Sequence, residues 1–224
     1  MIDILLIDTA VSSASVCLAR DGEQISLRTN DSQKDHAAWI HTAIRDVLKE
    51  GNSDIEKISA VAISNGPGSY TGLRVGLSAA KGICYAANKP LITINTLLLM
   101  AMAAKECEAD LLCPMIDARR MEVFTAVYTK ELQQVIAPCS MILEENSFQS
   151  LLDKNIICFF GNGSEKFFST FSPKNALLKP VVFSAANMIK LVYNKFEYSD
   201  FEDLAYSEPF YFKEFYLPSV KPLI

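Results

Sequence analysis

The stretch that decides the fold is SNGPGSYTGLRVG, which occupies residues 64–76. It follows an apolar run at residues 58–63, which predicts a buried strand, and it leads into a helix that we expect to end near Asn88. The glycines at positions 68, 72 and 76 recur every four residues and therefore share one face of that helix. Because each glycine lowers helix stability by about 1 kcal/mol relative to alanine, the row predicts that another backbone approaches closely.

Two kinds of backbone fit against this glycine row. One is a neighbouring helix of the same chain, and the other is a second protein, which is the interpretation we favour from the sequence. In that case Tyr70, Leu73 and Leu77 would supply apolar contacts and Arg74 a polar anchor.

The order of the predicted elements repeats on either side of residue 106. The first half reads as strands at 2–7, 15–19, 24–28, 58–63 and 91–94, with a helix that Asp35 caps and that carries an apolar stripe. The stripe consists of Ala37, Ile40, Ile44, Val47 and Leu48. The second half reads as strands at 111–116, 122–128, 134–140, 156–160 and 177–183, with helices that Ser164 and Ser184 cap. This order predicts two related α/β domains around a cleft, at residues 1–106 and 107–224.

The composition is that of an acidic globular protein. Half of the 224 residues are hydrophobic and the formal net charge is -5. Lysine and arginine are scattered without a basic stripe, which argues against a protein that binds nucleic acid by itself. The longest purely apolar run, residues 97–104, is too short to cross a bilayer, so we expect a cytoplasmic protein. Its six cysteines form no CxxC pair and are expected to be buried, reduced thiols.

Two acidic turns and a second glycine pair are the candidate ligand contacts. Asp8 and Asp117 follow the opening strands of the two halves, and open α/β sheets bind ligands at such strand ends. Facing carboxylates there are suited to Mg²⁺ on a nucleotide phosphate, with a hydroxyl contact from Thr9. Gly161 and Gly163 lie between a strand and a helix, where backbone N–H groups can cradle phosphate. The alternative is that the aspartates cap turns and that the glycines form an ordinary strand-to-helix turn.

The sequence does not predict a self-sufficient catalytic site. Its two histidines, His36 and His41, are five positions apart and therefore lie on different faces of a helix, unlike a zinc pair. Neither a GxSxG elbow nor a P-loop sequence is present. Trp39 and Ile40 are expected to pack or to form an interface rather than to bind a cofactor.

Three segments together resemble one family. The sequences DTA at 8–10, SNGPGSYTGLRVG at 64–76 and DAR at 117–119 look like those of the TsaB (YeaZ) family of bacterial tRNA threonylcarbamoyladenosine biosynthesis proteins. The resemblance covers the whole chain, strongly to about Tyr128 and weakly after it. It implies the duplicated actin-like fold of the ribonuclease H, hexokinase and Hsp70 type, related to that of TsaD.

The resemblance also implies work within a complex. Members of the family pair with the catalytic subunit TsaD and the ATPase TsaE, and the complex transfers threonylcarbamoyl from threonylcarbamoyl-AMP to the adenosine beside the anticodon of certain tRNAs. This chain would be a non-catalytic scaffold that can form a homodimer when alone and reaches tRNA only through the complex. TsaD-like subunits carry a His-x-x-x-His metal pair, which this sequence lacks.

The resemblance places the partner surface on the first helix and on the decisive stretch. Its residues are His36, Trp39, Ile40, Gly68, Tyr70, Gly72, Leu73, Arg74, Gly76 and Leu77. Asp8, Thr9 and Asp117 match phosphate-loop positions of the wider fold. We expect no intrinsic cofactor or metal, and ATP or ADP with Mg²⁺ only at the junction with the partner. The alternatives are an ATP-binding or glycoprotease-like enzyme of the same fold and a module that senses nucleotide without turnover.

Overall fold

The computed structural model describes residues 1–32, 36–171 and 173–212, with His36 described by its backbone alone. The helix cap predicted at Asp35 lies outside these residues. Two five-stranded mixed sheets with covering helices account for most of them. None of the helices in this described part of the chain is both long and apolar enough to span a membrane.

The first sheet is built around strands that are buried at every position. Its strands are β1 (Asp3–Asp8), β2 (Ala14–Arg20), β3 (Glu23–Asn30), β4 (Ala60–Ser64) and β5 (Leu91–Ile94), and the helices of this half are α1 (His36–Glu50), α2 (Tyr70–Ala87) and α3 (Thr96–Ala103). The order is β3-β2-β1-β4-β5, with β2 antiparallel to both neighbours and with β1, β4 and β5 parallel. Because helices cover both faces of the sheet, β1 and β4 are apolar on both sides.

The second sheet repeats this topology. Its strands are β6 (Leu111–Asp117), β7 (Glu122–Thr129), β8 (Gln134–Ile142), β9 (Ile157–Phe160) and β10 (Ala176–Leu178), and its helices are α4 (Gln149–Leu152) and α5 (Ser164–Thr170). Its order, β10-β9-β6-β7-β8, is that of the first sheet with β6 in the place of β1. The predicted duplication is therefore confirmed. We call each sheet with its covering helices a lobe.

Helices that cross between the lobes join them. Leu97 and Met100 of α3 pack against the second sheet in one cluster with Ile116 and Phe160. A short 3₁₀ helix (Ala185–Met188) and α6 (Ile189–Glu197) instead pack on the first sheet. The division near residue 106 stays a prediction, but the chain after Ser184 returns to the first lobe.

Three details of the predicted elements are wrong. The strand expected at 177–183 ends at Leu178, because Pro180 has no N–H to continue the ladder. Ser164 is the first helical residue of α5 rather than its cap, and its hydroxyl donates to the carbonyl oxygen of Gly161 at 2.7 Å. Ala37 is exposed, whereas Ile40 and the rest of the α1 stripe are buried against the first sheet.

Cysteine pairing also differs from the expectation. Cys107 and Cys158 form a disulfide that joins the segment after α3 to β9. The packing of α3 on the second sheet brings these two residues together, although they are 51 positions apart in sequence. Cys17, Cys84 and Cys113 are buried free thiols as predicted, and burial raises the pKa of each to about 12.

Candidate functional site

A cleft of about 670 Å³ lies between the lobes, at the carboxyl ends of β1 and β6. The first lobe lines it with the turn after β1 and with the start of α2, including Ser12 and Tyr70. The second lobe lines it with the turn after β6, with Phe124 and with Asn162. The cleft therefore lies at the ends of the two opening strands, where the sequence predicts it.

The glycine row, which begins at Gly68 just before α2 and continues into it, packs inside its own chain. A Cβ on Gly68 would overlap the carbonyl oxygen of Ala10, and one on Gly72 would overlap that of Thr9. A Cβ on Gly76 would overlap the Thr9 hydroxyl. The close approach is real, but the approaching backbone is the turn after β1, neither a neighbouring helix nor a second protein. The favoured interpretation of the row as a docking face is wrong.

Hydrogen bonds hold the turn after β1 against the start of α2. The Thr9 hydroxyl donates to the carbonyl oxygen of Gly72 at 2.7 Å, and the Ser69 N–H donates to that of Ala10 at 2.6 Å. Thr9 is fully buried, so it does not offer its hydroxyl to a ligand in the cleft.

The residues predicted for the partner surface divide into two groups. Ile40, Leu73 and Leu77 belong to the core of the first lobe, so they support the two helices rather than contact a partner. Tyr70 and Arg74 are exposed, and the Arg74 guanidinium lies 4.0 Å from the centre of the Tyr70 ring. Trp39 is half-buried against the first-lobe core. The side chain of His36 lies outside the described residues.

Asp8 is buried rather than facing the cleft. Its Oδ1 accepts the N–H of Ala10 at 3.1 Å and also the hydroxyl of Ser64. Burial raises the pKa of this carboxyl, and the two hydrogen bonds oppose the rise only in part. The observed role is the alternative one, in which Asp8 caps the turn after β1.

We expect Asp8→Ala to lower the free energy of unfolding by about 2 kcal/mol, because two buried donors would lose their acceptor. Asp8→Asn keeps an acceptor oxygen and removes a charge whose burial is unfavourable. Its stability should therefore stay within about 0.5 kcal/mol of wild type near neutral pH. Urea denaturation measures both values. Equal large losses in the two variants would contradict the capping role and show that the charge itself is required.

Asp117 does line the cleft, as predicted. Its Oδ1 accepts from the Lys166 ammonium at 2.7 Å and from the Arg119 N–H at 2.7 Å. Partial burial raises the pKa of Asp117, but these donors outweigh that effect and hold it below its ordinary value. The carboxylate is thus ionised at neutral pH and already compensated by Lys166. Among the described residues, no three His, Cys, Asp or Glu side chains are grouped as metal ligands would be.

Gly161 and Gly163 allow close packing in the second lobe, as the α2 glycines do in the first. Gly161 has a φ of +94°, and a Cβ there would overlap the carbonyl oxygen of Met115. A Cβ on Gly163 would lie 2.9 Å from the carbonyl carbon of Ile116. Neither glycine lines the cleft, whereas Asn162 between them does, with its side-chain oxygen accepting the Asp117 N–H at 3.0 Å. The glycines form the ordinary strand-to-helix turn.

The outward face of α2 holds residues that the sequence reasoning missed. Tyr85 is 83% exposed, and nothing lies within 4 Å of the position that a Cβ on Gly82 would take. Ile83 and Ile55 border an open groove of about 780 Å³ beside α1, together with His41 and Ile44. Ser78, Gly82 and Tyr85 follow Arg74 at helical spacing on the side opposite the buried glycines, and that spacing is the signal that could have found them.

Comparison with known proteins identifies the family. The family model described as TsaD, tRNA N6-adenosine threonylcarbamoyltransferase, matches residues 29–214. The chain belongs to the TsaD family. Within that family, the chain is similar to the TsaB protein of Escherichia coli K12, a tRNA threonylcarbamoyladenosine biosynthesis protein, with 35% identity over 129 residues. The match covers 57% of this chain and 55% of the relative, so the chain spans about half the length of the first curated relatives that it matches.

Solved structures confirm the fold. A Pseudomonas aeruginosa protein described as similar to peptidase YeaZ superposes with a TM-score of 0.83 at 21% identity, over 95% of this chain and 100% of its own. YeaZ from the same organism superposes with a TM-score of 0.77 at 20% identity, over 94% of this chain and 100% of its own. The resemblance to TsaB and YeaZ is therefore confirmed, and so is the duplicated α/β fold.

Proposed function

We propose that this chain is a non-catalytic subunit of the complex that makes threonylcarbamoyladenosine in tRNA. Its partners would be a TsaD-type transferase and the ATPase TsaE, and the complex would work in the cytoplasm. The similarity to proteins named for this biosynthesis supports the pathway. The transferase-type family model supports a partner with a related fold.

The observation that carries the subunit role is the exposed face of α1 and α2. Tyr85 is largely exposed, Gly82 offers an open surface at the backbone, and Ile83, the next residue in the chain, lines the groove with Ile55. A glycine in an exposed helix interior lowers monomer stability by about 1 kcal/mol, which is understandable where another helix must come close. An aromatic side chain beside such an open position is typical of an interface anchor.

This surface differs from the one that the glycine row predicted. It adds Gly82 and Tyr85, leaves Gly72 and Gly76 to the interior, and keeps Arg74 and Tyr70, which also contact Tyr211 of the same chain. Since the related fold of the partner would carry similar helices, the same face would also form the homodimer of the isolated chain. A nucleotide with Mg²⁺ remains a proposal for the junction between the subunits, and the acidic chain would meet tRNA only through the complex.

Reconstitution tests the proposal. The purified chain is mixed with the TsaD-type and TsaE proteins of the same organism, and co-elution is followed by size-exclusion chromatography. Depletion of the chain in cells is then followed by mass spectrometry of digested tRNA. We expect a stable complex and loss of threonylcarbamoyladenosine on depletion. Separate elution together with normally modified tRNA would overturn the proposal.

The cleft favours a second candidate, an ATP-binding enzyme of the same fold. Asp117 and Arg119 of the second lobe and Ser12 and Thr71 of the first line it. Calorimetry with ATP and Mg²⁺, followed by an assay of phosphate release, separates the two candidates. Turnover by the pure chain that Asp117→Asn abolishes would establish the enzyme, and binding without turnover would establish a nucleotide sensor.

A further inference from the structure

The segment after α6 runs along the first lobe towards the mouth of the cleft. The Glu202 N–H donates to the carbonyl oxygen of Leu91, the first residue of the edge strand β5, at 2.9 Å. Further along, the Lys81 ammonium donates to the carbonyl oxygen of Ser207 at 3.1 Å. The segment is therefore fixed to β5 and then to α2 before it reaches the cleft.

The Phe210 backbone then contacts the loop between β4 and α2. Its N–H donates to the carbonyl oxygen of Asn65 at 2.7 Å. Its own carbonyl oxygen lies so close to Gly66 that a Cβ on this glycine would overlap it. Gly66, with a φ of +111°, thus admits the segment as well as turning the chain.

The next two residues cross from one lobe to the other. The Tyr211 ring lies on Tyr70 of the first lobe with 5.3 Å between ring centres, and its hydroxyl accepts from the Arg74 Nε at 3.3 Å. The Phe212 ring contacts Phe124 of β7, in the second lobe, with 5.6 Å between ring centres. Tyr70 and Phe124 both line the cleft, so consecutive aromatic residues bridge its rim.

We propose that residues 210–212 are a strap that fastens the two lobes at the rim of the cleft and limits how far it opens. The lobes are also joined by α3, which packs on the second sheet through Leu97 and Met100. Separation of the lobes at the rim breaks the contact between Phe212 and Phe124, whereas the Phe210 and Tyr211 contacts stay on the first lobe. Among residues 201–212, the contact with the second lobe that separation breaks is therefore that of the Phe212 ring.

The test measures how often the cleft opens in the full chain. Val11 lines the cleft and is partly buried against the inter-lobe cluster, so Val11→Cys places a thiol there whose exposure increases when the lobes separate. Its rate of alkylation is followed by mass spectrometry of peptides. The native thiols of Cys17 and Cys113 are fully buried in the first and second lobe, so their alkylation reports unfolding of each lobe.

Phe212→Ala, made in the Val11→Cys chain, removes the ring that contacts Phe124. The control is Tyr206→Ala, which shortens a side chain that is 83% exposed on the same segment. We expect Phe212→Ala to speed alkylation at position 11 about three- to tenfold, the factor that corresponds to the free energy of one aromatic pair. The alkylation rates of Cys17 and Cys113, and every rate in the Tyr206→Ala control, should stay unchanged. An unchanged rate at position 11 would overturn the strap. Equal acceleration at all three thiols would overturn it as well, since Phe212 would then stabilise the whole chain.

Discussion

Gly72→Ala is expected to lower the free energy of unfolding by about 3 kcal/mol, because the new Cβ would overlap a backbone oxygen that cannot move away. That oxygen belongs to Thr9, whose side-chain hydroxyl donates a hydrogen bond to the carbonyl oxygen of Gly72 itself. Relief of the overlap would push α2 away from β1 and break this bond. Chemical denaturation with circular dichroism measures the loss.

The matched control lies ten positions along the same helix. Gly82→Ala puts a Cβ into open space and should raise the free energy of unfolding by up to about 1 kcal/mol, the difference in helix propensity. If Gly72→Ala were as stable as wild type, the turn after β1 would not pack on α2 as described. In that case the glycine row would again be available to a partner.

Tyr85→Asp is expected to weaken the proposed complex with the TsaD-type partner about 100-fold while leaving the monomer folded. The ring is exposed in the free chain, so its loss removes little from the core. In the complex, a carboxylate at this position would be desolvated against an apolar surface without a counter-charge. Isothermal titration calorimetry or surface plasmon resonance measures the affinity, and circular dichroism checks the fold.

Tyr198→Asp is the control for this experiment. Tyr198 is 77% exposed and ends α6, far in sequence from the proposed surface, so its substitution should leave the affinity unchanged. Equal weakening by both substitutions would point to a general effect of added negative charge. Unchanged affinity in both would place the partner elsewhere on the chain.

The strands and their succession along the chain were open to prediction because their signals are local. β1 and β4 are short apolar runs bounded by turn residues, which is the pattern of a covered strand. The hairpin between β2 and β3 follows from Asp21 and Gly22, which both adopt positive φ. The repeat of this pattern after residue 106 is enough to predict two lobes and a cleft at the ends of β1 and β6.

The roles of the glycines and of Asp8 were not open to prediction in the same way. Glycines at every fourth position indicate that another backbone comes close. Which backbone that is depends on the turn that the sheet places beside α2. From the sequence, Asp8 could either bind phosphate or cap the turn after β1. Only its burial beside Ser64 decides between these roles. The disulfide between Cys107 and Cys158 depends in the same way on the crossing of α3 to the other lobe.

The sequence by itself determined the duplicated α/β architecture, the glycine-bearing helix and the family, since periodicity, turn residues and motifs are carried by neighbouring positions. The tertiary structure decided which face of α2 is free, which residues line the cleft and where residues 201–212 contact the two lobes. The physical reason is that close packing joins residues distant in sequence: Gly72 meets Thr9, and Phe212 meets Phe124. No local pattern encodes which surfaces such contacts bury and which they leave to a partner.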